Sequence, residues 1–400
     1  MEVCGDLYAN LRTFCGDKFA CLHCPRILRV MRGENFYIWQ LARWPEFRFD
    51  SARLAPMLAR VHEARGRLLA RLDLLGLAQR DEATLACLTE DALRTSEIEG
   101  EQLAEDSVRS SFARRLGIEI AKPKAASRSV EGLVEVLLDA LWKSKSPLDE
   151  QRLCSWHAAL FPTGFSGLSR IEVGKWRTKA TGPMRVLSGP HGRQKVHFEA
   201  PPPKRVKREM ALFLAWLEQE VAADPIVHSG LAHLWFVTIH PFSDGNGRIA
   251  RAIGDLVIAR TDGQAGRFYS VSSQIAAERQ NYYDTLERTQ RGTLDISDWL
   301  AWYIACVERA IERGLASAAE VSLRSAFWTR HAGVAFNTRQ VRVLRRFLLG
   351  FEGNLTAAKW AKLSKCSGDT ALRDLNDLIE KGVLRRSDRG GRSTSYEISD

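Results

Sequence analysis

Nowhere do the 400 residues offer an uninterrupted apolar run of the roughly 20 residues that cross a bilayer. The chain's start also lacks the compact apolar block and small-residue cleavage site of a secretory leader. Nothing here points to a membrane, and cytoplasmic residence is the expectation. Internal repeats and low-complexity tracts are missing as well, which sets repeat architectures aside. No complete zinc pattern is present either. Cys21-Leu-His-Cys24 is a lone CxxC beside loosely spaced Cys4 and Cys15, and His228 and His233 precede His240 without an HExxH spacing. The remaining cysteines, Cys87, Cys154, Cys306 and Cys366, sit singly in helical-looking segments, where free thiols behave as small apolar groups. Met31 opens a stretch that reads as a natural beginning, MRGENFYIWQ. Residues 1–30 are therefore expected to be a misassigned upstream start or a tail.

What is present is the balance of a globular chain, 45% apolar and 26% charged, long enough for about two or three domains. A formal charge of +10 favours polyanionic partners: nucleotides, nucleic acid or an acidic protein surface.

Apolar residues recur at three- and four-residue spacing from Leu54 to Leu75 and again through Ala83–Ile98, which stops at Glu99-Gly100. Residues 127–145 and 149–160 read as two more helices. Between about 170 and 203 the pattern becomes β-like. Arg185-Val186-Leu187 and Lys195-Val196-His197-Phe198 flank the turn-forming Ser188-Gly189-Pro190-His191-Gly192. Helical periodicity resumes at Val206–Val221. It starts again at Asp224-Pro225, an N-cap followed by Pro at the first helical position, and runs to His240. Further helices are expected at 249–260, 275–289 and 297–315. A polar stretch at 317–338 reads as a linker. Beyond it, helix–turn–helix periodicity and a turn-rich hairpin around Asp388-Arg389-Gly390-Gly391 predict a winged helix-turn-helix unit over 339–400.

The chemistry concentrates in His240-Pro241-Phe242-Ser243-Asp244-Gly245-Asn246-Gly247-Arg248. Gly245 and Gly247 around Asn246 allow tight backbone and close approach of a ligand. The helix that follows offers unpaired N–H groups and the positive end of its dipole, which makes an anion cradle. Arg248 and Arg251 share a helix face and suit phosphate oxygens. Asp244 supplies a hard oxygen for Mg²⁺. His240 has the near-neutral basicity of a general base.

This loop, with Arg251 completing HPFxxGNGRxxR, resembles the signature of the Fic (filamentation induced by cAMP) proteins. The resemblance implies a mainly α fold: a helical core with a β-hairpin flap, carried here on residues 113–316 behind an N-terminal helical domain, 31–112. It also implies a protein adenylyltransferase that moves AMP from ATP to a Ser, Thr or Tyr hydroxyl of a target protein. By that resemblance His240 deprotonates the hydroxyl and Asp244 holds Mg²⁺. Gly245, Asn246 and Gly247 form the anion hole, Arg248 and Arg251 take the outer phosphates, and Phe242 anchors the loop. Asn281 and Tyr282 fall in the segment expected near the adenine. The hairpin at 184–198 matches the flap, to whose edge a target segment adds as a strand.

Thr95-Ser96-Glu97-Ile98-Glu99-Gly100 fits the family's inhibitory motif, [S/T]xxxE[G/N], at Thr95, Glu99 and Gly100. Glu99 is expected to pair with Arg251 and deny it to the γ-phosphate. The partners implied are ATP, a target protein and DNA at the winged helix, with homodimerisation as in relatives. A competing reading makes the chain a DNA-binding regulator whose core senses nucleotide. Others keep the enzyme but change the donor to UTP or reverse the reaction.

Overall fold

Asp50 opens the first long helix, α1 (Ser51–Asp73), its carboxylate accepting the Arg53 N–H at 3.0 Å. The computed structural model describes residues 36–179, 182–188, 193–219, 224–262, 268–348, 350, 353–387 and 394–399. The expected tail, the hairpin turn 189–192 and the turn of the expected C-terminal hairpin, 388–391, lie outside them. Leu54, Val61, Ala64, Leu68 and Leu72 are buried along one side of α1, the stripe read from their spacing. Two shorter turns lead through α2 (Leu77–Ile98) and α3 (Glu105–Leu116) to α4 (Arg128–Trp142) and α5 (Glu150–Leu160). A two-residue ladder, β1 (Phe165–Ser166) with β2 (Ser169–Arg170), follows. Next comes the antiparallel pair β3 (Arg185–Ser188) and β4 (Lys195–Glu199), with an irregularity in register at Val186/Leu187.

Helices α6 (Pro203–Leu217), α7 (Pro225–Ile239) and α8 (Asn246–Asp262) complete the part that carries the loop. Asp224 caps α7 through the Ile226 N–H, as its sequence announces. From Ile226 to Ile239 every residue except His228 is buried. A helix apolar all round belongs in the middle of a core, and α7 packs against α6, α8 and α11. Its last residue thus delivers His240 from a rigid support.

Then come α9 (Val271–Ala277), α10 (Arg279–Gln290) and α11 (Ser297–Arg330). The stretch expected as one helix over 275–289 is two, broken at Glu278. The polar segment at 317–338 does not end the preceding helix at 315: α11 continues to Arg330. From Leu315 to Arg330 there is no Gly or Pro to stop it, and Ala316, Ala318 and Ala319 favour helix. Phe327 near its end sits in a second core with Leu344, Trp360, Leu375 and Leu378. That core joins α12 (Thr338–Leu348), α13 (Ala357–Ser364) and α14 (Gly368–Glu380) to an antiparallel sheet of order β5-β7-β6, from β5 (Leu355–Thr356), β6 (Leu384–Arg386) and β7 (Ser395–Ile398). The fold is mainly helical, and among the described residues no helix is long and apolar enough to cross a membrane.

Candidate active site

His240 caps α7 in the left-handed region, φ 53° and ψ 60°, a conformation costly for a side chain with a Cβ. Nδ1 lies 3.2 Å from the Val237 carbonyl, which places the ring proton there and leaves Nε2 bare. Burial pushes the imidazole below its ordinary range, and the charge of Arg177 acts the same way; the Val237 contact, Glu99 and Asp244 oppose them. The neutral ring, able to accept a proton, is therefore the resting form.

Arg177, not anticipated from the sequence, surrounds this turn. Its Nε donates to the His240 carbonyl at 2.7 Å and its Nη2 to those of Ile239 (3.3 Å) and Pro201, while its own N–H donates to Pro241 at 2.8 Å. Beside it, Trp176 packs on Phe242, ring centres 4.8 Å apart, and His157 stacks on the same ring at 4.2 Å. Phe242 is fully buried, the anchor expected of it.

Asn246 spends its side chain inside the loop. Its Oδ1 accepts the Phe242 N–H and its Nδ2 donates to the Phe242 carbonyl, both at 2.9 Å. Only its backbone N–H is left to face an anion. Gly245 has φ +74°, and a Cβ there would stand 2.8 Å from the Phe161 ring, so glycine is required twice over. Asp244 accepts the Gly245 N–H at 2.6 Å through Oδ1 and the Ser166 hydroxyl through Oδ2.

The two arginines lie where α8 begins, and both are already engaged. Arg251 donates from Nε to the Thr95 hydroxyl (2.7 Å) and from Nη2 to the Thr95 carbonyl (2.9 Å) and Glu99 Oε1 (2.7 Å). A Cβ added to Gly247 would meet that same Glu99 oxygen at 2.2 Å, so the carboxylate lies in the cradle itself. Arg248, its guanidinium 5.0 Å above the Phe161 ring, donates to Glu101 Oε2 at 2.8 Å. Gly100, at φ +84°, turns the chain between the two glutamates.

Tyr282, expected at the adenine, is instead core: it is 2% exposed and its hydroxyl meets His233 Nε2 at 3.0 Å. A ring enclosed on all sides has no face for a base. Asn281 is exposed, its Oδ1 accepting the Thr285 hydroxyl at 3.4 Å. The neighbouring Tyr283 reaches the Ile98 carbonyl at 3.4 Å, at the end of the helix that carries Glu99.

A sequence profile of the Fic/DOC family matches residues 147–258, and one of a domain of unknown function (DUF4172) matches 37–118. Residues 147–258 thus carry a Fic/DOC family domain. The chain is 34% identical over 119 residues to the protein adenylyltransferase Fic of Nematostella vectensis, covering 29% of this chain and 26% of that protein. It is 39% identical over 145 residues to the protein adenylyltransferase fic-1 of Caenorhabditis briggsae, covering 36% and 25%. The chain thus spans about a quarter of the length of these relatives. In fold it is similar to a crystal structure of a Fic family protein from Desulfovibrio desulfuricans G20, with a TM-score of 0.50 at 22% identity over 89% of this chain and 98% of that one.

Proposed function

We propose that the chain is a protein adenylyltransferase held off by its own carboxylates. One observation carries this reading: Arg251 and Arg248, beside a bare-Nε2 histidine and an anion cradle, are each occupied by a glutamate from the end of α2. Groups placed to grip phosphate oxygens are gripping substitutes for them. With the glutamates withdrawn, the cradle N–H groups and the two arginines would hold the triphosphate of ATP. His240 Nε2 then takes the proton of a target Ser, Thr or Tyr hydroxyl. The oxygen forms its bond to the α-phosphorus as the bond to the bridging oxygen breaks, and pyrophosphate leaves.

Asp244 fits a Mg²⁺ that arrives with the nucleotide. Among the described residues no group of three or more His, Cys, Asp or Glu side chains surrounds a metal position. A lone carboxylate suits an ion that keeps water and phosphate oxygens as its other ligands. When bound, such an ion offsets charge on the phosphates.

The flap offers one edge for a target strand. Glu199 O accepts from Trp39 Nε1 (2.7 Å) and His197 O from Arg291 Nε (2.9 Å), so side chains cover the outer side of β4. The outer side of β3 is the edge left for addition.

A second reading gives the C-terminal unit, three helices with a small sheet, to DNA as a winged helix. Arg342, Arg345, Arg346 and Arg386 are exposed there and would suit phosphates. Helix α14, however, carries Asp369, Asp374, Asp377 and Glu380 against Arg373 alone. Binding of that kind would be sensitive to salt and indifferent to sequence.

Incubating wild type, Glu99→Gly and His240→Ala with ATP tagged on the α-phosphate, in lysate, tests the main reading. Transfer of tag to protein by Glu99→Gly and its loss with His240→Ala are expected. Tag from UTP instead of ATP would move the reading to another donor. No transfer by Glu99→Gly from any nucleotide would defeat it and favour the nucleotide-sensing regulator.

A further inference from the structure

Helix α7 ends on carbonyls that have no partner within the helix, those of Ile239 and His240, and the negative end of the helix dipole lies there. Many helices solve this with a left-handed glycine and backbone donors. Here the left-handed residue is the histidine, and the donors come from the guanidinium of Arg177, 63 positions earlier in the chain. Its planar fork reaches both helix-end carbonyls and the Pro201 carbonyl together, while its backbone holds Pro241. Pro201 lies two residues beyond the end of β4, where the flap returns to the core.

We propose that Arg177 is a positioning residue for transfer: it fixes the left-handed backbone of His240 and joins it to the root of the flap, so that base and target-bearing strand move as one unit. The inference rests on the adenylyl-transfer reading. Stability alone is a poor reason for the arrangement, because burying a guanidinium among neutral carbonyls is costly. Arg177 is 2% exposed, and burial draws its pKa down to about 10. Its charge has a second use. Of the ionised groups acting on His240, Glu99 and Asp244 draw its pKa up while Arg177 holds it down. Without Arg177 only burial is left to oppose the carboxylates, and the base is more readily protonated.

The two roles separate in three variants, each made on Glu99→Gly. Arg177→Lys keeps the charge but loses the fork, Arg177→Gln keeps planar donors but loses the charge, and Arg177→Met keeps neither. Expected for Arg177→Met is a kcat about a hundredfold lower, the loss a misplaced base brings, with the KM for ATP near that of the parent. Arg177→Lys should recover part of kcat and leave the acid limb of the pH profile where it was. Arg177→Gln should move that limb to higher pH. Titration of the His240 ring by NMR in the nucleotide-free proteins should give a higher pKa for Gln and Met than for Lys.

Unchanged kcat in all three variants overturns the proposal. So does parallel loss of kcat, ATP binding and melting temperature, since that pattern marks a merely structural role. If Arg177→Met does not fold, the Lys and Gln pair decides. If the Glu99→Gly parent transfers no nucleotide, the adenylyl-transfer reading has failed. The NMR arm then still tests Arg177: an unmoved His240 pKa overturns its effect on the base.

Discussion

Arg248 is held by Glu101 across 2.8 Å, three residues before Arg251 is held by Glu99 at 2.7 Å. The two pairs differ in exposure. Both arginines are buried, 3% exposed at Arg251 and 6% at Arg248, but Glu99 is 28% exposed and Glu101 49%. A pair whose carboxylate is half open to water is discounted toward about 0.2–1 kcal/mol, and a better-shielded charge-assisted contact is worth about 1.5–3 kcal/mol. Glu101→Gln alone should therefore raise labelling of protein no more than about fivefold, and Glu99→Gly by about one to two decades. The double variant should exceed Glu99→Gly, with a lower KM for ATP, because Arg248 is then free as well. Initial rates with tagged ATP measure this. Equal rates with and without Glu101→Gln, in both backgrounds, would remove Glu101 from the brake.

His240 works as a base only while neutral, and burial keeps its pKa below the ordinary histidine range. The rate of Glu99→Gly should accordingly be flat through neutral pH and fall only as the pH drops through that lowered value. Removing Glu99 takes away one of the groups that raise it, which sends the acid limb lower still. His240→Ala should lose transfer at every pH while binding ATP as its parent does. A limb at or above the ordinary histidine value would contradict the neutral resting ring.

Asn246 joins the Phe242 N–H and carbonyl and is 2% exposed. In Asn246→Ala both backbone groups are left buried without a partner, each costing about 1–3 kcal/mol. A lower melting temperature and a large loss of transfer should appear together. Asn246→Asp keeps the acceptor for the N–H but sets a second oxygen against the carbonyl, so it should rescue neither. Differential scanning calorimetry and ATP titration read the two effects. Full activity in Asn246→Asp would return the side chain to anion binding.

The sequence carried the loop clearly because base, acid, glycines and arginines lie within twelve positions, 240–251, on one turn and the helix after it. It carried most helices because apolar periodicity follows burial directly. Arg177 was hidden because its partners are carbonyls 24 and 62 to 64 positions on, which no side-chain pattern marks. Glu101 was hidden for a different reason. It points to Arg248 only because Gly100 turns the chain at φ +84°, and spacing along an ideal helix does not foresee that turn. The end of α11 is not legible in the polar stretch at 317–338, because a helix side facing water is polar with no break at all.

Tyr282 and Tyr283 show the same limit and supply the last test. Adjacent helix positions point about 100° apart, and here Tyr282 is wholly enclosed while Tyr283 is only partly buried at the core's margin. Its hydroxyl is the partner of His233, whose pKa burial lowers to about 3, so the pair is neutral. Tyr282→Phe leaves the ring nitrogen buried and unpaired, a loss of about 1–3 kcal/mol. The melting temperature should fall while the KM for ATP in the Glu99→Gly background stays near the parent's. Tyr283→Phe should act on the brake rather than on stability. Its hydroxyl holds a long contact to Ile98 at the end of α2 and a bond to the exposed Arg279, so stability should hardly change. Loosening that end should let the intact Glu99 leave Arg251 more often and raise the basal labelling rate of an otherwise wild-type chain. A raised KM for ATP in Tyr282→Phe, with its melting temperature unchanged, would put Tyr282 back at the nucleotide.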